Sequence, residues 1–251
     1  MLAMVLDRTH AVLLDGDRLP RIDDDGRGRP LLAVESWFAA RGVTLPAPAG
    51  SRPAADGGRD LVFVTARLDA PAGMAWVPLA AAATDDVLWR LYVERVLGGW
   101  EPPTRDVDVW SFGDQPEMAS RLAHLVACGD KRVTMGWVEA AKASGTPLAR
   151  TGGVSVVTDA FGYPRLVLRT TRVDERPFDA IDAALAADEG EGDLSHADWR
   201  EGHVAYFTRE AARHRLAFAD DAIISVETFE VLHVVGAAAP GAGTPARTAG
   251  A

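Results

Sequence analysis

Two glycines and two prolines crowd into one short stretch, Gly98-Gly99 and Pro102-Pro103, and neither a helix nor a strand can run through them. Glycine removes the side-chain restraint on the backbone and proline removes a backbone donor, so regular structure stops on one side of this stretch and must restart on the other. A chain of 251 residues is long for one small barrel and comfortable for two modest units. The expected division is a small α+β module over residues 1–100, a linker over 101–109 and a second domain over 110–235. The tail, 236–251, is rich in Gly, Ala and Pro without periodicity and is expected to be disordered.

Charge narrows the partners. The formal net charge is −10, and the second unit shares it, with 13 Lys and Arg against 20 Asp and Glu over residues 110–235. Such a surface repels a nucleic-acid backbone, so bulk nucleic-acid binding is not expected and any such contact must be local. The single cysteine, Cys128, excludes an internal disulfide and a cysteine-built zinc site. It reads as a small buried hydrophobe. Hydrophobic runs are too short to span a bilayer and no export signal is evident, so a cytoplasmic location without membrane contact is the expectation.

Local patterns place the elements. Residues 11–14 form an apolar run entering the Asp15-Gly16-Asp17 turn, and residues 61–68 read as a strand. Between them, residues 31–41 put Leu32, Val34, Trp37 and Phe38 broadly on one helical face, closed by Gly42. Residues 46–58 read as a mobile loop. Thr84 reads as the N-cap of a helix with Asp85 and Asp86 in its first turn, stopping at Gly98-Gly99. Beyond the break, Asp114 reads as a cap with Pro116 near the first turn of a helix ending at Gly129. Strands are expected at 154–158, 165–173 and 223–235, and Ser195 with Asp198 resembles a capping box opening a helix that carries Trp199, His203, Tyr206 and Phe207.

The junction Gly129-Asp130-Lys131-Arg132-Val133-Thr134 carries a G-x-K-x-x-T pattern at the end of a helix. Together with Phe112-Gly113-Asp114, Thr170-Thr171, Glu189-Gly190-Glu191-Gly192-Asp193, the Trp199-Arg200-Glu201-x-His203 helix and Glu227-x-Phe229, it resembles the ASCH domain family, in particular an uncharacterised subgroup. The resemblance implies a PUA-like β-barrel with flanking helices, giving an α+β chain. It also implies a Lys/Thr corner lining a cleft for a nucleobase-sized ligand or RNA.

Some members of that family resemble amidohydrolases that remove acyl groups from the exocyclic nitrogen of cytidine with a Lys, a Thr and a Glu; another resembles a ribonuclease. The resemblance carries the trio onto Lys131, Thr134 and Glu189, with Glu191 as the other candidate acid. The chemistry is coherent: a hydroxyl becomes a nucleophile when a nearby base takes its proton, and a partly buried lysine can be that base. Gly129, Arg132, Glu191, Asp193, Trp199 and His203 are the expected substrate-binding surroundings. Local sequence also allows blander roles, with Lys131-Arg132 a solvated pair, Thr134 a β-branched strand residue, Glu189 a helix-terminal acid and His203 a packed histidine sharing a face with Trp199. Glu191 and Asp193 alternate with glycines but lack the other positions of a calcium loop, so they read as a flexible rim.

The first unit is similar, faintly, to a truncated Nudix fold, but Ala39 and Ala40 stand where the helix of that family carries magnesium-binding acids. No metal and no cofactor is therefore expected. The first unit reads instead as a module that packs on the barrel or makes a homodimer. Two functions stay open: an amidohydrolase acting on a small nucleoside-like ligand, and a non-catalytic module binding a modified base or short RNA.

Overall fold

The computed structural model describes residues 2–22, 30–46, 48–53, 59–67 and 69–236. The expected tail over 237–251 lies outside them. The first sheet holds β1 (Ala3–Asp7), β2 (Val12–Asp15), β3 (Gly50–Pro53), β4 (Arg59–Thr65) and β5 (Met74–Val77), in the order β3-β4-β1-β2-β5, with β1 and β4 parallel. The loop expected over 46–58 thus contains a strand, β3, which pairs with the edge of β4.

Alternation along β1 sorts two cores. Met4 and Leu6 point to one face while Ala3 and Val5 point to the other, as a period of two requires. On the Ala3/Val5 face lies α1 (Pro30–Ala39) with Val34 and Phe38 fully buried. On the Met4/Leu6 face lie α2 (Leu79–Ala82) and α3 (Asp86–Arg95), whose Leu88, Leu91 and Tyr92 are buried. Asp85 caps α3, its carboxylate accepting from the amides of Val87 and Leu88, so the cap stands one residue beyond the expected Thr84. Aspartate wins because its carboxylate reaches two orphan amides and also complements the helix dipole.

The second sheet comprises β6 (Val107–Ser111), β7 (Val133–Trp137), β8 (Val154–Thr158), β9 (Pro164–Pro177) and β10 (Ile223–Val234), in the order β6-β8-β9-β10-β7. Register shifts interrupt the β9–β10 ladder between Thr228 and Phe229 and between Val231 and His233. Such bulges bend long strands, and here the sheet curls into a half-barrel.

Helix α4 (Pro116–Cys128) covers one side with Leu122, Ala123 and Val126 against Val157, Leu166 and Phe229. Helices α5 (Val138–Ser144), α6 (Ala183–Asp188) and α7 (His196–His214) cover the other, where Phe207 and Trp199 meet Met135, Trp137 and Ile224.

Two sequence readings change here. The residue before α4 is Gln115, with no side-chain cap, because the Asp114 carboxylate is taken by Arg209 and Arg213 of α7 at 2.6–3.0 Å. Cys128 is exposed, since the buried stripe of α4 runs through Ala119, Leu122, Ala123 and Val126 instead.

Candidate functional site

The end of α4 and the end of α6 are brought together by the backbone. Gly129 turns the chain with φ +85, Asp130 and Lys131 amides both donate to the Leu125 carbonyl, and the Arg132 amide donates to the Asp188 carbonyl. Gly190, at φ +73, lies so close that a Cβ there would run into the Asp130 carbonyl oxygen. Lys131 therefore projects from one helix end straight toward the acids that follow the other.

Its side chain is wholly buried, at 0% exposure, and Glu189 at 2%. Lys131 Nζ donates to Glu189 Oε1 at 3.1 Å, to Glu191 Oε1 at 2.7 Å and to the Glu189 carbonyl at 3.5 Å, which uses all three of its hydrogens. Trp199 Nε1 donates to Glu189 Oε2 at 2.6 Å, and His203 Nε2 lies 3.2 Å from the same oxygen. His203 Nδ1 meets the Trp199 carbonyl at 2.9 Å, and the imidazole stacks on the indole at 4.5 Å between centroids.

Both imidazole nitrogens thus face acceptors, which only the doubly protonated ring can satisfy. Electrostatics agree. Burial pushes the His203 imidazole down, but the Glu189 carboxylate and the Trp199 carbonyl outweigh it and hold the ring above its usual value. Burial likewise pushes the Glu189 carboxyl up, and Lys131, His203 and Trp199 more than offset that, holding it at about 2. The cluster is charge-balanced: Lys131 and His203 against Glu189 and Glu191.

Four members of this cluster, Lys131 not among them, form part of the wall of a cleft of about 550 Å³, a volume within the range of small-molecule sites. Glu189, Glu191, Trp199 and His203 line it together with Thr134, Phe112, Arg121 and Tyr206. Thr134, half-buried on β7, lines the cleft beside Met135, and Val133, Met135 and Trp137 pack into the core with Trp199 and Phe207.

Among the described residues no hydrogen bond joins Lys131 to Thr134, and Lys131 is more deeply buried than the partly buried position expected of it. Lys131, Gly129, Arg132 and Asp193 do not line the cleft: Lys131 is wholly buried against Glu189 and Glu191, Gly129 caps α4, Arg132 is exposed beside Asp188, and Asp193 accepts from the Ser195 amide. Glu191 is no loose rim residue but an ion-pair partner. Arg121 and Tyr206 line the cleft without having been anticipated; a helix period of 3.6 places Tyr206 one turn past His203, a signal that was available. Arg121 had none.

A half-barrel flanked by helices is the PUA-like architecture. The ASCH domain family model matches residues 108–233, half of the chain, and the protein belongs to the ASCH domain family. Among solved structures, the ASCH domain from Lactobacillus crispatus JV V101 is 26% identical at a TM-score of 0.50, covering 57% of this chain and 92% of that one. A protein of Enterococcus faecalis V583 is 29% identical at a TM-score of 0.49, covering 59% and 88%. No curated protein matches the chain.

Proposed function

We propose that the chain binds a nucleobase- or nucleoside-sized ligand in the cleft beside Glu189 and Thr134, and hydrolyses an amide on it, with N4-acylcytidines as the substrate class. The observation that carries the reading is that Glu189, which lines the cleft, is paired from behind the wall with the wholly buried Lys131. A buried ion pair stabilises a fold weakly or not at all relative to apolar packing, whereas perturbed titratable groups cluster at functional sites. Tyr206 offers a flat surface for a base, and the acids around the cleft disfavour a polyphosphate.

In this reading the substrate, on covering Glu189 in the cleft, raises its carboxyl, and a Lys131 proton moves to it along the hydrogen bond between them. The free amine takes the Thr134 proton while the hydroxyl oxygen attacks the amide carbonyl. Glu189 then delivers its proton to the leaving amine nitrogen, and water releases the acyl group from Thr134. The imidazolium of His203 keeps Glu189 aligned.

The test is turnover of a panel of N4-acylcytidines by wild type, Lys131→Ala and Thr134→Ala, with cytidine binding followed by calorimetry. Turnover lost in both variants is the expected result. Turnover by Lys131→Ala at the wild-type rate overturns the hydrolytic reading, and absence of any nucleoside binding overturns both parts.

A further inference from the structure

A second cavity of about 350 Å³ opens inside the curl of the barrel, between β6, β7, β9 and β10. It shares Phe112, Gly113, Thr134, Met135 and Tyr206 with the first cleft but is built on different charges. In the first cleft the carboxylates of Glu189 and Glu191 are matched by Lys131 and His203. In the second, the carboxyl groups of Asp108, Glu210 and Glu227 face the space, and the cation there, Arg150, is already taken by Asp106 at 2.6 Å and Asp108 at 3.3 Å. Glu210 has Arg213 and His214 nearby.

Glu227 is different. It is only 9% exposed, it stands opposite Thr134 in the β7–β10 ladder, and its Oε1 accepts from the Thr170 hydroxyl at 2.5 Å. Among the described residues no cation pairs with it, and Oε2 has no partner. Burial, with Asp108 adding to it, pushes the Glu227 carboxyl above the usual carboxylate range. A carboxyl group without a counter-charge, facing an open cavity, is placed to receive a cation. The walls include Trp110 and Tyr206, whose faces attract cations.

We propose that this second cavity binds a small planar organic cation, an amidinium or guanidinium group whose N–H donors meet Glu227 Oε2 and Asp108 and whose flat face lies on an aromatic wall. A delocalised planar cation suits the site better than an ammonium because it presents paired donors to a carboxylate and is more weakly hydrated. The inference stands on this cavity alone and is independent of any activity in the neighbouring cleft.

The experiment titrates the full chain with benzamidine, cationic at neutral pH, and with neutral benzamide and anionic benzoate as shape-matched probes, reading heat and the NMR indole signals. Benzamidine is expected to bind with a Kd below roughly 1 mM while the other two do not. Glu227→Gln, which keeps the shape and the Thr170 hydrogen bond, is expected to weaken it about tenfold, the loss of one charge-assisted bond. Glu201→Gln, in the other cleft, is expected to leave it unchanged. Equal binding of benzamidine and benzamide, or a Glu227→Gln variant that binds as wild type, overturns the proposal, as does a shift centred on the Trp199 indole rather than on Trp110. Should Glu227→Gln fail to fold by circular dichroism, the cation-against-neutral contrast on wild type decides the matter.

Discussion

At the scale of single residues, Lys131 is the position on which most depends. Lys131→Met leaves Glu189 buried without its strongest counter-charge, and breaking a buried pair from one side costs on the order of 3–5 kcal/mol. Urea unfolding of the variant should show that loss, and adding Glu189→Gln should recover part of it; a loss under about 1 kcal/mol, the scale of an exposed pair, would contradict the burial described.

His203 sets a pH dependence of the opposite kind from a carboxylate. Its folded value lies above the ordinary 6.5, so its contribution is complete below that pH and is lost as pH rises through the folded value. The stability advantage of wild type over His203→Gln should therefore shrink on the alkaline side, as followed by thermal melting. Glu189, held at about 2, contributes above 4.5 and loses its contribution as pH falls toward 2.

At the scale of elements, the site depends on two helix ends meeting. The G-x-K-x-x-T pattern put Lys131 and Thr134 at a helix-to-strand junction, and α4, Gly129 and β7 lie where that pattern requires. What the pattern could not carry was the approach of α6, 58 residues away along the chain, which supplies the acids. Gly190 is the hinge of that approach. Gly190→Ala forces both a left-handed backbone and a clash with Asp130, and should cost about 1–3 kcal/mol in Tm-derived stability while displacing Glu189 and Glu191 together. A variant as stable as wild type with an unaltered His203 resonance would show that the two helix ends are not held by this contact. The caps of α3 and α4 differ from the sequence reading for separate reasons: beside Thr84 the carboxylate of Asp85 reaches two amides of α3, and before α4 the tertiary neighbours Arg209 and Arg213 take the carboxylate of Asp114.

At the scale of the molecule, the two sheets share one core. Met4, Leu6, Leu91 and Tyr92 pack in the same cluster as Val107, Val154, Val156 and Val167. His10, buried with φ +55, accepts from the Tyr92 hydroxyl at Nδ1 and donates from Nε2 to the Gly162 carbonyl, both at 2.7 Å, so the neutral Nε2–H tautomer ties β1–β2 to the β8–β9 turn. Burial dominates its titration, and although Gly162 and Asp7 oppose it the ring is held down at about 4. The unfolded chain takes up a proton that the folded one refuses between pH 6.5 and about 4, so stability falls as pH drops through that window. His10→Gln should reduce the slope there by about one proton per chain. Because the core is continuous, melts followed by far-UV circular dichroism and by tryptophan fluorescence should superimpose; two separated transitions would show that the sheets unfold independently.

Short-range patterns in the sequence carry the family and part of the fold: α4, α7, β8, β9, β10 and the Gly129–Thr134 junction are decided by short-range sterics and hydrophobic period, whereas β1, β3 and β7 are not legible there. Among the described residues no helix is long and apolar enough to cross a membrane, which hydropathy alone already implied. Tertiary contacts alone bring both Glu189 and Glu191 onto Lys131, set both nitrogens of His203 against acceptors, turn Asp114 to Arg209 and Arg213 rather than to α4, and leave Glu227 facing an open cavity without a counter-charge. Each of these is a choice between chemically similar side chains, made by distance and burial; charge interactions in a low-dielectric interior depend on separations that chain spacing does not encode.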